Sequence, residues 1–141
     1  MSAVTASIEI AAPLDTVWDI VMDATRLGEW VTIHRGLESH DEQHMEQILH
    51  LRGLNFHVNW ELTSSDRPRH AHWKGRGPAR STAETEYRLS ETGAGTRFDY
   101  RTEFKVPFGP VGAVAGRALV GGVSQREANA SLGRLKALCE A

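Results

Sequence analysis

Residues 110–139 read PVGAVAGRALVGGVSQREANASLGRLKALC and predict one long C-terminal helix. Pro110 can begin this helix, because the first turn does not use the amide proton that proline lacks. Beyond it, apolar residues recur every three or four positions, which places them on one face of a helix. The members of this stripe are Val114, Ala118, Gly121, Gln125, Ala128, Leu132, Leu135 and Cys139. Gln125 interrupts its apolar character.

The stripe changes in side-chain size along its length, with alanine and glycine in its first half and leucine in its second. Leucines fill a core, whereas small residues facing a sheet leave room between the layers unless the sheet supplies the bulk. We therefore predict that the helix closes a pocket at one end and seals a dry core at the other. Close packing along the whole helix is the alternative.

Composition predicts one globular domain spanning residues 1–141. The 40% apolar and 24% charged content is ordinary, and a net charge of -2 gives no general attraction to nucleic acid or anionic membrane. The single cysteine, Cys139, excludes an intrachain disulfide. Because the first residues show neither a basic leader nor an apolar secretory run, and no segment is long and apolar enough to span a bilayer, we expect a cytoplasmic protein.

Seven segments show the alternation or the flanking turn signals of β-strands. They are residues 4–10, 31–39, 44–52, 55–63, 69–76, 81–90 and 96–106. Two short helices are predicted after the first strand, one opened by Pro13 and one over residues 24–27, with Asp23 as its N-cap and Gly28 as its stop. The predicted fold is α+β: a seven-stranded curved antiparallel sheet wrapped around a long C-terminal helix.

The turn between the third and fourth strands predicts their register. Gly53-Leu54 suits a type II′ hairpin turn, because glycine stands at the first central position. That turn places Gln47 opposite Trp60 on the inner face, and it places two histidines, His50 and His57, opposite each other on the outer face.

A second predicted register joins the sixth and seventh strands. Placing Leu89 opposite Phe98 also pairs Tyr87 with Tyr100 on the inner face. On the outer face it sets opposite charges against each other, which stabilises cross-strand neighbours. These outer pairs are Arg88 with Asp99 and Glu86 with Arg101.

The predicted order of strand, two short helices, six strands and a long C-terminal helix resembles the helix-grip fold of the START and SRPBCC superfamily. That group includes plant pollen allergens, lipid-transfer domains and polyketide cyclases. The motifs GEWVTIH at 28–34 and GPVG at 109–112 resemble an actinobacterial subgroup described as polyketide cyclase/dehydrase-like or as toxins of toxin–antitoxin pairs. The resemblance implies binding of a small hydrophobic ligand between sheet and helix. It does not specify the ligand, because this superfamily shares a cavity rather than catalytic residues.

The inner face of the predicted sheet supplies the candidate ligand-binding residues. An apolar pocket with a few placed polar groups is the usual composition of a small-molecule site. The candidates are Trp30, His34, Gln47, Trp60, Trp73, Tyr87, Tyr100, Phe104 and Gln125. A buried amide without partners costs about 1–3 kcal/mol, so Gln47 and Gln125 are expected to bond each other, water or a ligand.

The second strand allows two inward-facing sets. Regular alternation turns Arg35 inward, whereas a bulge at Gly36 turns His34 inward together with Leu37. A buried arginine requires an acidic partner, and no inward acid is evident, so the bulge is favoured. His34 then serves either as a structural hydrogen-bonding group or as a general acid or base.

Three functions remain open at this point. The first is a non-catalytic carrier or sensor of a lipid, a polyketide or another aromatic molecule. The second is a cyclase or dehydratase in which His34 or a tyrosine moves protons during an aldol-type ring closure. The third is a toxin-like protein whose apolar helix surface is covered by a partner. That surface comprises Leu119, Val120 and Val123, and the early helices, a partner chain or a membrane interface must cover it. We predict homodimerisation or binding of another protein through it.

Several chemistries lack sequence support. The seven histidines have no cysteine or aspartate at metal-ligand spacing, so no metal site is predicted. The basic segment 67–80 contains Trp73, but strand alternation separates this ring from the cations, which disfavours nucleic-acid binding. No nucleophile elbow, phosphate loop or dinucleotide fingerprint is present, so no catalytic residue and no cofactor is assigned.

Overall fold

The computed structural model describes residues 2–106 and 123–141. Over these residues the chain forms a seven-stranded, entirely antiparallel sheet with the spatial order β1-β7-β6-β5-β4-β3-β2. The strands are β1 Ser2–Ile10, β2 His34–His40, β3 His44–Leu51, β4 Leu54–Asp66, β5 His70–Arg76, β6 Thr82–Thr92 and β7 Gly95–Lys105. The predicted fold class and number of strands are confirmed.

Short helices follow β1, as predicted. They are α1 Leu14–Val21, a 3-10 turn Ala24–Arg26 and α2 Leu27–Trp30, with a further 3-10 turn at Pro78–Arg80 before β6. The predicted N-cap is confirmed, because the Asp23 carboxylate accepts hydrogen bonds from the Thr25 amide at 3.0 Å and the Thr25 hydroxyl at 2.6 Å. The predicted stop at Gly28 is wrong, since α2 continues through Gly28 to Trp30.

The C-terminal helix, α3, spans Gln125–Glu140. Ser124 has extended backbone angles, φ -72 and ψ 159, and its hydroxyl accepts the Glu127 amide at 3.1 Å. A serine oxygen in this position satisfies an amide that the first turn leaves unpaired, and it therefore begins a helix. The predicted uninterrupted helix over 110–139 is wrong at Ser124, and its 110–122 portion lies outside the described residues.

The β3–β4 hairpin has a different turn from the predicted one. Arg52 and Gly53 are its central residues, with φ 49 and φ 82, and two successive positive φ angles are typical of a type I′ turn. The register therefore differs from the prediction by two residues, so that Gln47 pairs with Val58 and Met45 with Trp60. The predicted His50–His57 pair is wrong. Because strand side chains alternate with period two, the shift leaves every side chain on its predicted face.

The β6–β7 register is confirmed, with Leu89 opposite Phe98 and Tyr87 opposite Tyr100. The predicted outer pairs are also backbone partners, but the ion pairs of these arginines lie along a strand instead. Arg88 contacts Glu86 at 3.2 Å, and Arg101 contacts Glu103 at 3.6 Å.

The core lies between the inner face of the sheet and the helices. Trp30, Phe98, Leu132 and Leu135 are among its fully buried side chains. Leu132 and Leu135 of α3 are thus buried in this core, as the apolar stripe predicted. In that region Trp30 makes an edge contact with Phe98, with ring centroids 6.1 Å apart.

A polar side of α3 lies along the free edge of β1. The Gln125 amide donates to the Thr5 carbonyl at 2.9 Å, and Lys136 donates to the Glu9 carbonyl at 3.0 Å. Glu140 accepts the Ala11 amide at 2.8 Å. These contacts satisfy backbone groups that an edge strand would otherwise expose. They also correct the prediction for Gln125, which is exposed and faces the sheet edge rather than a pocket.

Candidate functional site

A cavity of about 40 Å³ lies between the inner face of the sheet and the helices. Its walls are mainly aliphatic and aromatic, with a few hydroxyl and amide groups. They comprise Leu27, Val31, Ile33, Met45, Gln47, Leu49, Trp60, Trp73, Thr85, Tyr87, Tyr100, Thr102, Phe104 and Val123. A space of this size holds a few water molecules or one small functional group.

Three polar side chains form a hydrogen-bonded chain at one wall of this cavity. Trp60 Nε1 donates to Gln47 Oε1 at 2.9 Å, and Gln47 Nε2 lies 2.8 Å from His34 Nδ1. The Gln47 side chain is 5% exposed and Trp60 is 6% exposed, whereas His34 is partly exposed. The amide of Gln47 is therefore fixed between an indole and an imidazole. Burial lowers the pKa of His34, which favours its neutral form.

A β-bulge turns His34 toward Gln47. Between the pairs His34–Leu49 and Gly36–Ile48, strand β2 contains one extra residue, Arg35. Arg35 is exposed, and His34 lies on the same face as Leu49. The predicted bulge and the predicted orientation of His34 are confirmed.

Gly75 makes room for the Trp60 indole. These two residues are direct partners in the β4–β5 ladder. An ideal Cβ on Gly75 would lie 2.8 Å from Trp60 Cε3 and 2.9 Å from Val58 Cγ1, closer than real Cβ contacts. The ring therefore lies against bare backbone at this point.

The opposite wall contains paired hydroxyls and phenols. Thr85 Oγ1 and Thr102 Oγ1 are 2.9 Å apart, and Thr102 Oγ1 is 3.3 Å from the Glu84 carbonyl oxygen, to which it can donate. Tyr87 and Tyr100 stack with ring centroids 6.2 Å apart. Burial raises the pKa of Tyr100 to about 12 and raises that of Tyr87 further, so both phenols are protonated at neutral pH.

An open groove of about 330 Å³ adjoins the cavity. The groove and the cavity share four wall residues, Leu27, Met45, Trp73 and Tyr87. The other residues of the groove come from the end of α1, the 3-10 turn and the β2–β3 turn; they are Val21, Met22, Asp23, Ala24, His40, Asp41 and Glu42. The same four side chains therefore form a common wall of the two spaces.

The sequence-predicted candidates divide into three groups. Six of them line the cavity: Gln47, Trp60, Trp73, Tyr87, Tyr100 and Phe104. His34 lies behind Gln47, and Trp30 lies in the core, with its ring 6.1 Å from Tyr87. Among the described residues Trp30 Nε1 has no hydrogen-bond partner. Gln125 lies at the β1 edge, away from the cavity.

Two parts of the site were missed by sequence reasoning. One is the groove, to which Val21 and Met22 contribute at the end of α1; their apolar character indicated burial but not a shared wall. The other is Val123, predicted as part of an exposed partner surface. It is 5% exposed and lines the cavity, so that prediction is wrong for Val123. Leu119 and Val120 lie outside the described residues.

Two histidines of the outer face, on β5, lie close to carboxylates of β6. His70 Nε2 lies 2.7 Å from Glu86 Oε2, and this hydrogen bond is the main reason that the pKa of Glu86 is lowered. His72 Nε2 lies 3.5 Å from Glu84. Within residues 2–106 and 123–141, no three His, Cys, Asp or Glu side chains converge as metal ligands would.

A family model described as polyketide cyclase / dehydrase and lipid transport matches residues 1–140. The chain belongs to this family. The chain is 29% identical to an uncharacterized protein of Mycobacterium tuberculosis over 133 residues, an alignment that covers 85% of this chain and 92% of the relative. The match to the family covers the sheet, the helices and every candidate site residue.

Several solved structures have the same fold as this family member. A START superfamily protein from Mycobacterium smegmatis superposes with a TM-score of 0.69 at 19% identity, covering 96% of this chain and 98% of that one. A protein from Deinococcus radiodurans superposes with a TM-score of 0.75 at 15% identity, covering 99% and 98%. At such identities the likeness shows the fold alone, which is the helix-grip fold. No helix in the described part of the chain has the length and apolar character needed to cross a bilayer.

Proposed function

We propose that this protein binds a small hydrophobic ligand, such as a lipid, a polyketide or another aromatic molecule, in the groove and the cavity behind it. The observation that carries the proposal is that the two spaces are adjacent and share the walls formed by Leu27, Met45, Trp73 and Tyr87. Ligand sites of this kind usually have volumes of about 300–1,000 Å³, and the groove alone reaches that range. Family membership supports the same reading.

The protonation states in the cavity favour binding over catalysis. An aldol-type ring closure needs a group that removes a proton from carbon. Both phenols are protonated because burial raises their pKa, and His34 Nδ1 faces the amide of Gln47. A cyclase or dehydratase activity would therefore need a base from outside these groups.

The toxin-like alternative receives less support. It depended on an apolar helix surface that a partner protein covers, and Val123 of that surface faces the interior of its own chain. A partner protein is accordingly not part of the proposed function.

Fluorescence of the four tryptophans provides the test, since Trp60 and Trp73 line the cavity. Titration with 2-isopropylnaphthalene, a neutral hydrocarbon, is expected to give saturable one-site quenching. Thr85→Phe places a ring in the cavity and is expected to abolish the quenching, whereas Ser90→Phe, on the exposed face of the same strand, keeps it. Unsaturable quenching, equal in the two variants, would contradict the proposal.

A further inference from the structure

We propose that Gln47 makes this site selective for ligands whose inserted end is an uncharged hydrogen-bond acceptor, such as a ketone carbonyl, and that His34 is a positioning residue that orients Gln47. The inference rests on the proposed function and adds the chemical class of the ligand. Its evidence is the direction of the hydrogen bonds in the His34–Gln47–Trp60 chain.

The direction of each hydrogen bond in this chain is determined by the indole. Trp60 Nε1 carries a hydrogen and can only donate, so the Gln47 atom that it contacts at 2.9 Å is the carbonyl oxygen. The other end of the amide is then the NH2 group, which can only donate. His34 Nδ1, 2.8 Å away, must therefore be the acceptor. This makes His34 a neutral imidazole with its proton on Nε2.

The chain leaves one donor of Gln47 unused. An amide nitrogen carries two hydrogens, and His34 accepts one of them. Among the described residues the second N–H has no partner, although the side chain is 5% exposed and lines the cavity. A buried donor without a partner is unfavourable, so an inserted group that accepts this hydrogen is selected over one that does not.

The described walls also select against charge on the inserted group. They contain no lysine, arginine, aspartate or glutamate. A carboxylate would lose its hydration there without a countercharge, which is strongly unfavourable. The acceptor is accordingly a neutral one. A carbonyl matches the 40 Å³ cavity, and the apolar body of the ligand then lies in the 330 Å³ groove outside it.

Three probes of one shape test this selectivity by tryptophan quenching. 2-Acetylnaphthalene carries the carbonyl, 2-isopropylnaphthalene replaces it by carbon, and 2-naphthoate carries a carboxylate. The ketone is expected to bind about tenfold more tightly than the hydrocarbon, the ratio that one hydrogen bond of ordinary strength produces. The carboxylate is expected to bind more weakly than both. Equal affinity for ketone and hydrocarbon would overturn the inference while leaving the proposed function intact; no binding of either would overturn the proposed function.

Variants of Gln47 and His34 separate direct contact from positioning. Gln47→Leu is expected to lose the ketone preference, so that this variant binds the ketone and the hydrocarbon with equal affinity. His34→Phe is expected to reduce the preference, and His34→Asn, whose side-chain oxygen can still accept from Gln47, to restore it. A ketone preference that persists in Gln47→Leu would overturn the inference.

If Gln47→Leu does not fold, the side-chain amide NMR signals of the wild-type protein test whether Gln47 contacts the ketone. One Gln47 amide proton is expected to shift on addition of the ketone and not of the hydrocarbon. Identical shifts with both probes would refute the role of this amide.

Discussion

The backbone of Gly75 lies directly under the indole of Trp60, at a distance that leaves no room for a methyl group. The same indole donates from Nε1 to Gln47 Oε1 at 2.9 Å. A residue without a side chain on β5 therefore leaves the space that the ring of this hydrogen-bonded chain occupies.

Gly75→Ala is expected to destabilise the fold by about 1–3 kcal/mol, because the added methyl group overpacks a well-filled site. The indole N–H signal of Trp60 should shift as the ring moves from Gln47. Chemical denaturation and NMR measure the two effects. Gly133→Ala is the matched control: it lies in α3 with nothing within 4 Å of an added Cβ, and it is expected to stabilise by about 0.5–1 kcal/mol. If both substitutions stabilise the protein, the proposed steric role of Gly75 is refuted.

The burial of His34 predicts a pH dependence of stability. Its pKa in the folded protein is lower than its ordinary value of 6.5, so the unfolded chain binds the proton more readily. The contribution of neutral His34 to the free energy of unfolding is complete above about pH 6.5, and it is lost as the pH falls below that value. In addition, a protonated Nδ1 could no longer accept the hydrogen of Gln47.

The measurement is the free energy of unfolding of wild-type and His34→Phe proteins between pH 5 and pH 8. The wild-type protein should lose more stability than the variant on acidification through the range below about pH 6.5. Parallel curves for the two proteins would show that His34 does not titrate differently on folding.

Strand faces could be predicted from the sequence, whereas the position of a helix over the sheet could not. The predicted β3–β4 turn differs from the observed one by one residue, and the predicted register differs by two. Gln47 and Trp60 nevertheless lie on the predicted inner face, because side chains alternate with period two. The prediction that Gln125 faces the pocket was wrong for a different reason. Periodicity shows which side of a helix faces protein, but not whether that side meets the sheet's inner face or its edge. The edge contact with Thr5 depends on how α3 is placed.

The size of the cavity could not be predicted from the sequence either. Small residues and aromatic rings indicated a pocket but not its division into a narrow cavity and an open groove, which depends on how Leu27 and Met45 pack between them. A bulge at Gly36 was predictable, since the alternative buried an unpaired arginine, and the extra residue of the observed bulge is Arg35.

Glu140 is expected to protect the edge of β1 in a pH-dependent way. Its pKa is lowered, first because it accepts the Ala11 amide and second because Lys136 donates to it. A carboxyl group with a lowered pKa stabilises the fold above its unfolded pKa, and this contribution is lost as the pH falls through the folded pKa. Glu140→Gln should therefore increase hydrogen exchange at the Ala11 amide at pH 7. Glu42→Gln, an exposed position in the β2–β3 turn, is the control. Unchanged exchange at Ala11 would contradict the edge-capping role.

The change in stability caused by Ser124→Ala has opposite signs for a C-terminal helix that begins after Ser124 and for one that continues through it. As an N-cap, its hydroxyl satisfies the Glu127 amide, so Ser124→Ala is expected to destabilise the protein by about 1 kcal/mol. In the interior of an uninterrupted helix the same substitution would stabilise it, because alanine is the better helix former. Ala130→Ser, at an exposed position within α3, provides the matched control and is expected to cost about 0.5 kcal/mol. Urea denaturation measures both changes, and a stabilising Ser124→Ala would mean that the helix does not begin at Gln125.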